Sequence, residues 1–566
     1  MIRVERPLWR RLLAAPTLLV DAFHWPLKKF LVWGETVRID RRIRDVVLWK
    51  DNDDLPVPEP AKDDETEHVW WDFYQNTALY PLERTVDPAV SLPAVGRIVG
   101  LSSPDEAVNV NALDEVPDST WFTNRHARQR LSAQALERGP NLGPPPAADG
   151  PLVVLSGKEL GTQPGFWMRD STGASYLVKF DPRGYPDLAT AAEVVASRIL
   201  YALGWNVAEY HLFRLDPARM VIGPDAWIFD AHNRKRPLTP QRLAGVLATA
   251  ERGSDGRIRA VASRRLPGVA KGGFRMTGER RDDANDTIPH EQRRDLRGLR
   301  VVAAWLDHVD FRAGNTLDTF VHEQRDPEGR GHLVHYLVDL NGTFGSWGIG
   351  WKPRWMGHEY VYEVSPAAAR ALHLWRPPWA DVPLVHPAIG YFDAEHFDPD
   401  GWKPVYPAPP FEQATLRDCL WGARLVASLR ESDLRAVAAA AAWTDPAAGE
   451  RLVRILEARQ RKIAERYFDS RHVNPLDELE IDGGALRFRD LAVTMGIAEA
   501  EMARYRLRID DQTTESSIPR FTVGTTRGDA TMEIETSHDG GGHWSPPLRV
   551  SLGGDRRIVG LERVTR

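Results

Sequence analysis

The stretch DHVDFRAGNTLD, residues 307–318, follows directly on an apolar helical run and packs acids, a histidine, a glycine and an asparagine into one short segment. A helix stop followed by a plain turn needs far less, since one residue in the left-handed region and one short polar side chain suffice. His308, Asp310 and Asn315 stand in the pattern H-x-D-x-x-x-x-N. That spacing puts a carboxylate and an amide oxygen on a single loop. Taken alone, the segment reads equally well as a helix end with an Asx-turn, so its meaning depends on what the rest of the chain brings to it.

Downstream, HLVHYLVDL reads as a strand that carries Asp339 near its end, followed by the Gly-rich NGTFGSWG. A carboxylate in an apolar strand is costly without a partner. Upstream, LVVLSGKELG, GFWMRD and SYLVKF are short β-rich runs separated by Gly-containing turns, the pattern of a meander, and the third run carries Lys179. The period then becomes helical in DLATAAEVVASRILYALG, with Asp187 at the N-cap, Val195, Ile199 and Leu203 on the apolar face, Gly204 as the stop and Glu193 inside. A second helix is expected from near Pro289, with Leu296, Leu299, Val302, Ala303 and Leu306 as its apolar face. Each polar residue has an ordinary reading by itself: Lys179 as a solvated edge lysine, Glu193 as an exposed helix residue. The signal is the order Lys179, Glu193, Asp310, Asn315, Asp339.

That order suits phosphoryl transfer, which requires a lysine on the phosphates, a carboxylate to orient a hydroxyl and take its proton, and oxygen ligands for Mg²⁺. Over roughly residues 150–470 the chain resembles the atypical protein-kinase-like superfamily, especially its HipA, CotH-type spore-coat and secretory-pathway casein-kinase branches. The resemblance implies an α+β, two-lobed fold with a β-rich N-lobe and a mostly helical C-lobe, using ATP and Mg²⁺. It makes Lys179 the phosphate anchor, Glu193 its partner, Asp310 the base, and Asn315 and Asp339 the metal ligands. GKELGTQPGF, with Gly161 and Gly165, would be a degenerate Gly-rich loop on the nucleotide, and the hinge would fall near Arg265 to Gly268. There are departures. His308-Val309-Asp310 lacks the usual arginine, no A-P-E motif follows Asp339, and the interval from Lys179 to Glu193 is short, leaving Asp187 or another acid as a rival partner.

The implied organisation is an amphipathic segment at 1–50, an irregular extension with a Pro-rich linker at 51–150, an N-lobe at 151–268, a C-lobe at 269–472 and a small β-rich module at 473–566. The N-terminal run RPLWRRLLAAPTLLVDAFHWPLKKFLVW is too interrupted to span a bilayer and reads as an interfacial anchor, a packed helix or a signal sequence. A membrane surface met through residues 1–35 and a membrane-associated or envelope location follow from the first of these, while the packed-helix reading leaves a cytoplasmic location open. A formal charge of −6 over 566 residues gives no basis for nucleic-acid binding. One cysteine, Cys419, rules out an intrachain disulfide, and its apolar helical setting reads as a buried thiol.

Other features have ordinary readings. His332 and His335 point to opposite faces of a strand, which disfavours a zinc site with His322. Arg293, Arg294, Arg297 and Arg300 read as a solvated helix face. SHDGGGHW, residues 537–544, fits an Asp-box hairpin turn. The expected partners are a nucleotide and a hydroxyl-bearing substrate. Two other functions fit the residues: a catalytically silent nucleotide-binding scaffold, and a metal-dependent hydrolase built on Asp310, Asp318 and Asp339.

Overall fold

The computed structural model describes residues 45–63, 105–158, 163–230, 234–363, 377–523 and 530–565. Most of the N-terminal amphipathic segment, and Gly161, lie outside the described residues. Among the described residues no helix is long and apolar enough to cross a membrane.

The chain is a mixed α/β protein built on a large sheet. Strands β1 (Leu152–Gly157), β2 (Gly165–Arg169) and β3 (Ser175–Phe180) form the expected antiparallel meander. Side chains alternate across a strand. Leu152, Val154, Phe166, Met168, Tyr176, Val178 and Phe180 therefore share one apolar cluster, which leaves Lys179 on the opposite face. Four more strands complete the sheet: β4 (Tyr210–Leu215), β5 (Met220–Phe229), β6 (Lys235–Pro237) and β7 (Ile258–Arg264), in the order β4-β7-β3-β2-β1-β5-β6. β5 runs parallel to β1.

Helix α1 (Ala133–Arg138) precedes the sheet, α2 (Leu188–Leu203) follows β3, and α3 (Pro240–Leu247) follows β6. Asp187 does not cap α2: it lies in the left-handed region and makes no capping bond. The capping acceptor is Asp181, whose carboxylate takes hydrogen bonds from the main-chain N–H groups of Asp187, Ala189 and Thr190. The Asp187 carboxylate accepts instead from Thr444, far along the chain.

After β7, Gly268 adopts a positive φ of 85° and passes so close to Phe320 O that a side chain would collide with it. The chain thereby leaves the large sheet for a small one, β8 (Val269–Ala270) with β9 (Thr316–His322) and β10 (Gly331–Leu337). Helix α4 (Arg294–Leu306) starts later than its sequence predicts, because His290–Gln292 forms a separate 3-10 turn and Arg293 is extended. Its first turn is capped from a distance: Asn109 Oδ1 accepts from Arg294 N at 2.6 Å. Leu296, Leu299, Val302, Ala303 and Leu306 are all buried, and each large apolar side chain so placed contributes about 1.5–3 kcal/mol. Helices α5 (Leu416–Ser428) and α7 (Pro446–Tyr467) pack on α4, α6 (Glu431–Ala439) packs on α7 and α1, and Cys419 is buried in the shared core.

The arginines of α4 are not a solvated face. Arg294 and Arg297 are fully buried. Arg294 bonds Asp418 at 2.9 Å and Asp114 at 2.6 Å, and Arg297 reaches Asp418 at 3.4 Å. Arg417 joins Asp114 at 2.7 Å, while Arg424 bridges Glu115 and Asp477 at 2.6 and 2.7 Å. This buried group ties α4 and α5 to the segment before α1 and to the C-terminal strands. Those strands form a five-stranded and a three-stranded sheet around their own apolar cluster. In the 537–544 turn, Asp539 accepts from His543 N and Ser537 Oγ, and Trp544 lies under Arg506, a hairpin device as expected.

Candidate functional site

Lys179 leaves β3 on the face covered by α2 and is 2% exposed. Gly165 lies opposite it on β2, where a Cβ would stand 3.1 Å from Lys179 Cγ and 2.7 Å from Val178 O. The missing side chain gives the lysine stem its room. Lys179 Nζ donates to Glu193 Oε1 on α2 and to Asp339 Oδ1 at 3.1 Å. Glu193, not Asp187, is therefore its helix partner. Burial works against the ammonium charge, but Asp339 and Glu193 outweigh it and hold the lysine pKa above its ordinary range.

Asp339 follows β10 in the left-handed region, with φ 55°. A non-glycine residue there costs of order 1 kcal/mol and persists only where its surroundings demand it. The surroundings are plain: Oδ1 accepts from Lys179 and, at 2.5 Å, from Asn341 Nδ2, while Oδ2 accepts from Lys158 at 2.9 Å. Burial would raise the Asp339 carboxyl, yet the lysines hold it well below the usual carboxylate range. Asn341 also donates to Gln163, which in turn donates to Phe180 O at the end of β3.

The 307–318 segment is laced to the Asp339 turn by main-chain bonds. Val309 N donates to Gly342 O at 3.1 Å, Val338 N to Asn315 O at 2.9 Å, and Phe344 N to Leu306 O at 2.7 Å. Gly342 packs so closely that a Cβ would lie 3.1 Å from Asp310 Cβ. Lys179, Glu193, Asp310, Asn315 and Asp339 are thus brought into one region.

The Asp310 side chain is 17% exposed and pairs with Arg312 Nε at 2.9 Å. Burial pushes its carboxyl up to about 7, with the Asn315 amide opposing and Asp339 adding repulsion. Asn315 Nδ2 donates to Asp310 O at 2.6 Å, and a cation would meet its Oδ1 instead. Hard oxygen donors from Asn315 and Asp339 suit Mg²⁺ or Mn²⁺ rather than a soft metal, so the residues present fit a divalent ion beside phosphates.

The remaining polar residues of the segment are committed elsewhere. Asp307 holds Trp402 Nε1 at 2.9 Å and Lys352 at 3.0 Å. Buried His308 is driven to a pKa of about 4 and stays neutral. Asp318 faces His335 at 2.7 Å and Arg280 at 3.0 Å, apart from Asp310 and Asp339. Two cavities of about 220 and 240 Å³ open elsewhere, one beside Lys352 and Arg459, the other beside Arg280 and Asp318.

Sequence reasoning passed over Lys158, Gln163, Arg312 and Asn341. Lys158 lay in the Gly-rich stretch, Arg312 two residues past Asp310, and Asn341 two residues past Asp339. Gln163 lay in the same stretch as Lys158, between Gly161 and Gly165, and only such proximity to chosen residues marked any of the four.

No family model matches the chain, and no curated protein matches it. Among solved structures it is similar to the crystal structure of the Golgi casein kinase with Mn/ADP bound, at 11% identity and a TM-score of 0.27, over 56% of this chain and 75% of that one. A resemblance of that size carries no weight by itself, so the functional reading rests on the side chains.

Proposed function

We propose that this protein is an ATP- and Mg²⁺-dependent phosphotransferase of the atypical kinase-like class, acting on a hydroxyl acceptor. The β-rich 151–268 region would serve as one lobe and 269–472 as the other. The observation that carries the reading is the contact group in which Lys179 joins Glu193 to Asp339, while Val309 and Asn315, on either side of Asp310, are bonded onto the same turn.

In this reading Lys179, held by Glu193, receives the α- and β-phosphates. Asn315 and Asp339 hold the metal, which supplies charge neutralisation on the phosphates. Asp310 orients the acceptor hydroxyl and takes its proton as the new O–P bond forms and the bond to the β-phosphate oxygen breaks, releasing ADP. A carboxyl pKa of about 7 suits that task, because a base near the working pH accepts a proton while still being ionised. Placement at a membrane or envelope surface through residues 1–35 belongs to the proposal, and fractionation with and without that segment tests it.

The primary test is ATP turnover and MgATP binding in parallel. Asp310→Asn should lower turnover by roughly 10²- to 10⁴-fold with binding retained; unchanged turnover would remove Asp310 from the base role. A second reading, a catalytically silent nucleotide-binding scaffold, draws on the two lysines that together engage both Asp339 oxygens. It would show as MgATP stabilisation against heat with no turnover at all.

A further inference from the structure

Lys158 stands just past the end of β1, where its main-chain N donates to Gly165 O at 2.9 Å and fixes the residue at the mouth of the β1–β2 turn. Its side chain is 9% exposed and ends on Asp339 Oδ2 at 2.9 Å, across 181 residues of sequence. The other Asp339 oxygen carries Lys179 and Asn341. Lys158 and Lys179 together match Glu193 and Asp339 in charge, so the group is neutral as it stands. A divalent cation arriving alone at Asp339 meets an ammonium already seated on Oδ2, and the further carboxylate alongside, Asp310, is itself paired with Arg312. A nucleotide changes this balance: its phosphates offer Lys158 a new anionic partner and bring negative charge for the metal. Lysine suits such an exchange, being a compact point charge on a flexible stem rather than a fixed planar fork.

We infer that Lys158 is a tethered cation that blocks the metal-facing oxygen of Asp339 until nucleotide phosphates draw it away, so that divalent metal enters this site together with nucleotide and not before it. The inference rests on the phosphotransferase reading of the site. It makes metal and nucleotide binding strongly coupled through one side chain, and it predicts opposite effects of removing that side chain on the two ligands.

The test uses the full chain with Mn²⁺ as the metal probe, free Mn²⁺ being followed by electron paramagnetic resonance, and ADP as the nucleotide. Wild type should bind Mn²⁺ weakly alone and on the order of 10- to 100-fold more tightly with ADP, within the usual range of coupling between sites. Lys158→Met should bind Mn²⁺ alone about tenfold more tightly than wild type and ADP about tenfold more weakly, shrinking the coupling. Lys158→Arg, which keeps the cation, should restore weak binding of Mn²⁺ alone and controls for folding. If Lys158→Met leaves Mn²⁺ affinity unchanged or weakens it while wild type still binds ADP, the tethered-cation role is overturned and the phosphotransferase reading survives. If wild type binds no ADP, that reading falls. The block on Asp339 then stands only if Lys158→Met unmasks Mn²⁺ binding that Asp339→Asn abolishes, and it is overturned otherwise.

Discussion

At the base of α4, Arg294 and Arg297 meet Asp114 and Asp418, and at the end of β3, Lys179 meets Glu193 and Asp339. Both groups are buried, both join segments distant in sequence, and both balance cations against carboxylates. They differ in what is left over. At the α4 junction each of these carboxylates faces a guanidinium, and the surrounding arginines hold Asp114 well below its ordinary range although burial pulls the other way. At the Lys179 group a further acid, Asp310, stands alongside, and although it meets the Arg312 guanidinium at 2.9 Å it is partly exposed and raised by burial to about 7. Planar guanidinium forks fix the first group, while flexible ammonium heads that can change partner dominate the second. The same ingredients give a joint in one place and an adjustable site in the other.

The largest stability effect is expected at the junction: Asp418→Ala leaves Arg294 and Arg297 buried without their shared partner, and denaturant unfolding should show a loss of about 3–5 kcal/mol. MgATP binding per folded molecule should be unchanged; a selective loss of binding would mean that the joint is part of the site. Next, Gly165→Ala places a methyl against Lys179 Cγ and Val178 O, and should cost about 1–3 kcal/mol by overpacking, together with weaker nucleotide affinity measured by titration.

The pH responses should have opposite signs. Asp310 is raised in the folded state, so its contribution favours folding below the ordinary carboxyl pKa and is lost as pH rises through about 7. Asp114 is depressed, so its contribution is present above the ordinary carboxyl pKa and is lost only as pH falls below it. Asp310→Asn should remove the neutral-pH slope of stability and leave the acid slope in place, as read by thermal unfolding across pH. The ascending limb of kcat/KM should likewise fall near pH 7 in wild type. The smallest effect is expected outside both groups. Arg461→Ala on α7 removes an exposed pair with Glu465 and should change stability by less than about 0.5 kcal/mol.

Much of the site was legible because its parts sit at recognisable places in local structure. Lys179 closes a β-rich run, Glu193 lies inside a strongly periodic helix, and Asp310, Asn315 and Asp339 occupy segments whose turn chemistry exceeds what a turn needs. Lys158 was not legible as a partner of Asp339, because a lysine after a strand has the same local signature whether it faces water or a carboxylate. The α4 arginines misled for the same reason: a basic stripe reads as solvated until Asp114 and Asp418 come to meet it. The strand histidines likewise have partners that local sequence does not show, His335 Nδ1 meeting Asp318 and His322 Nδ1 meeting Gly329 O.

Periodicity was readable along the chain: the β1 to β3 meander, the apolar stripes of α2 and α4, the hairpin turn at 537–544, and the order of the chemical residues. These depend on alternation and turn preference within a few residues, which any local stretch carries in full. Where the helices begin and which charges are buried came from neighbours in three dimensions. α2 is capped by Asp181 rather than Asp187, and α4 by Asn109 from the far side of the large sheet in sequence. A main-chain N–H takes whichever acceptor folding brings within reach, and a charge is buried or exposed according to its neighbours in space, which sequence distance does not record.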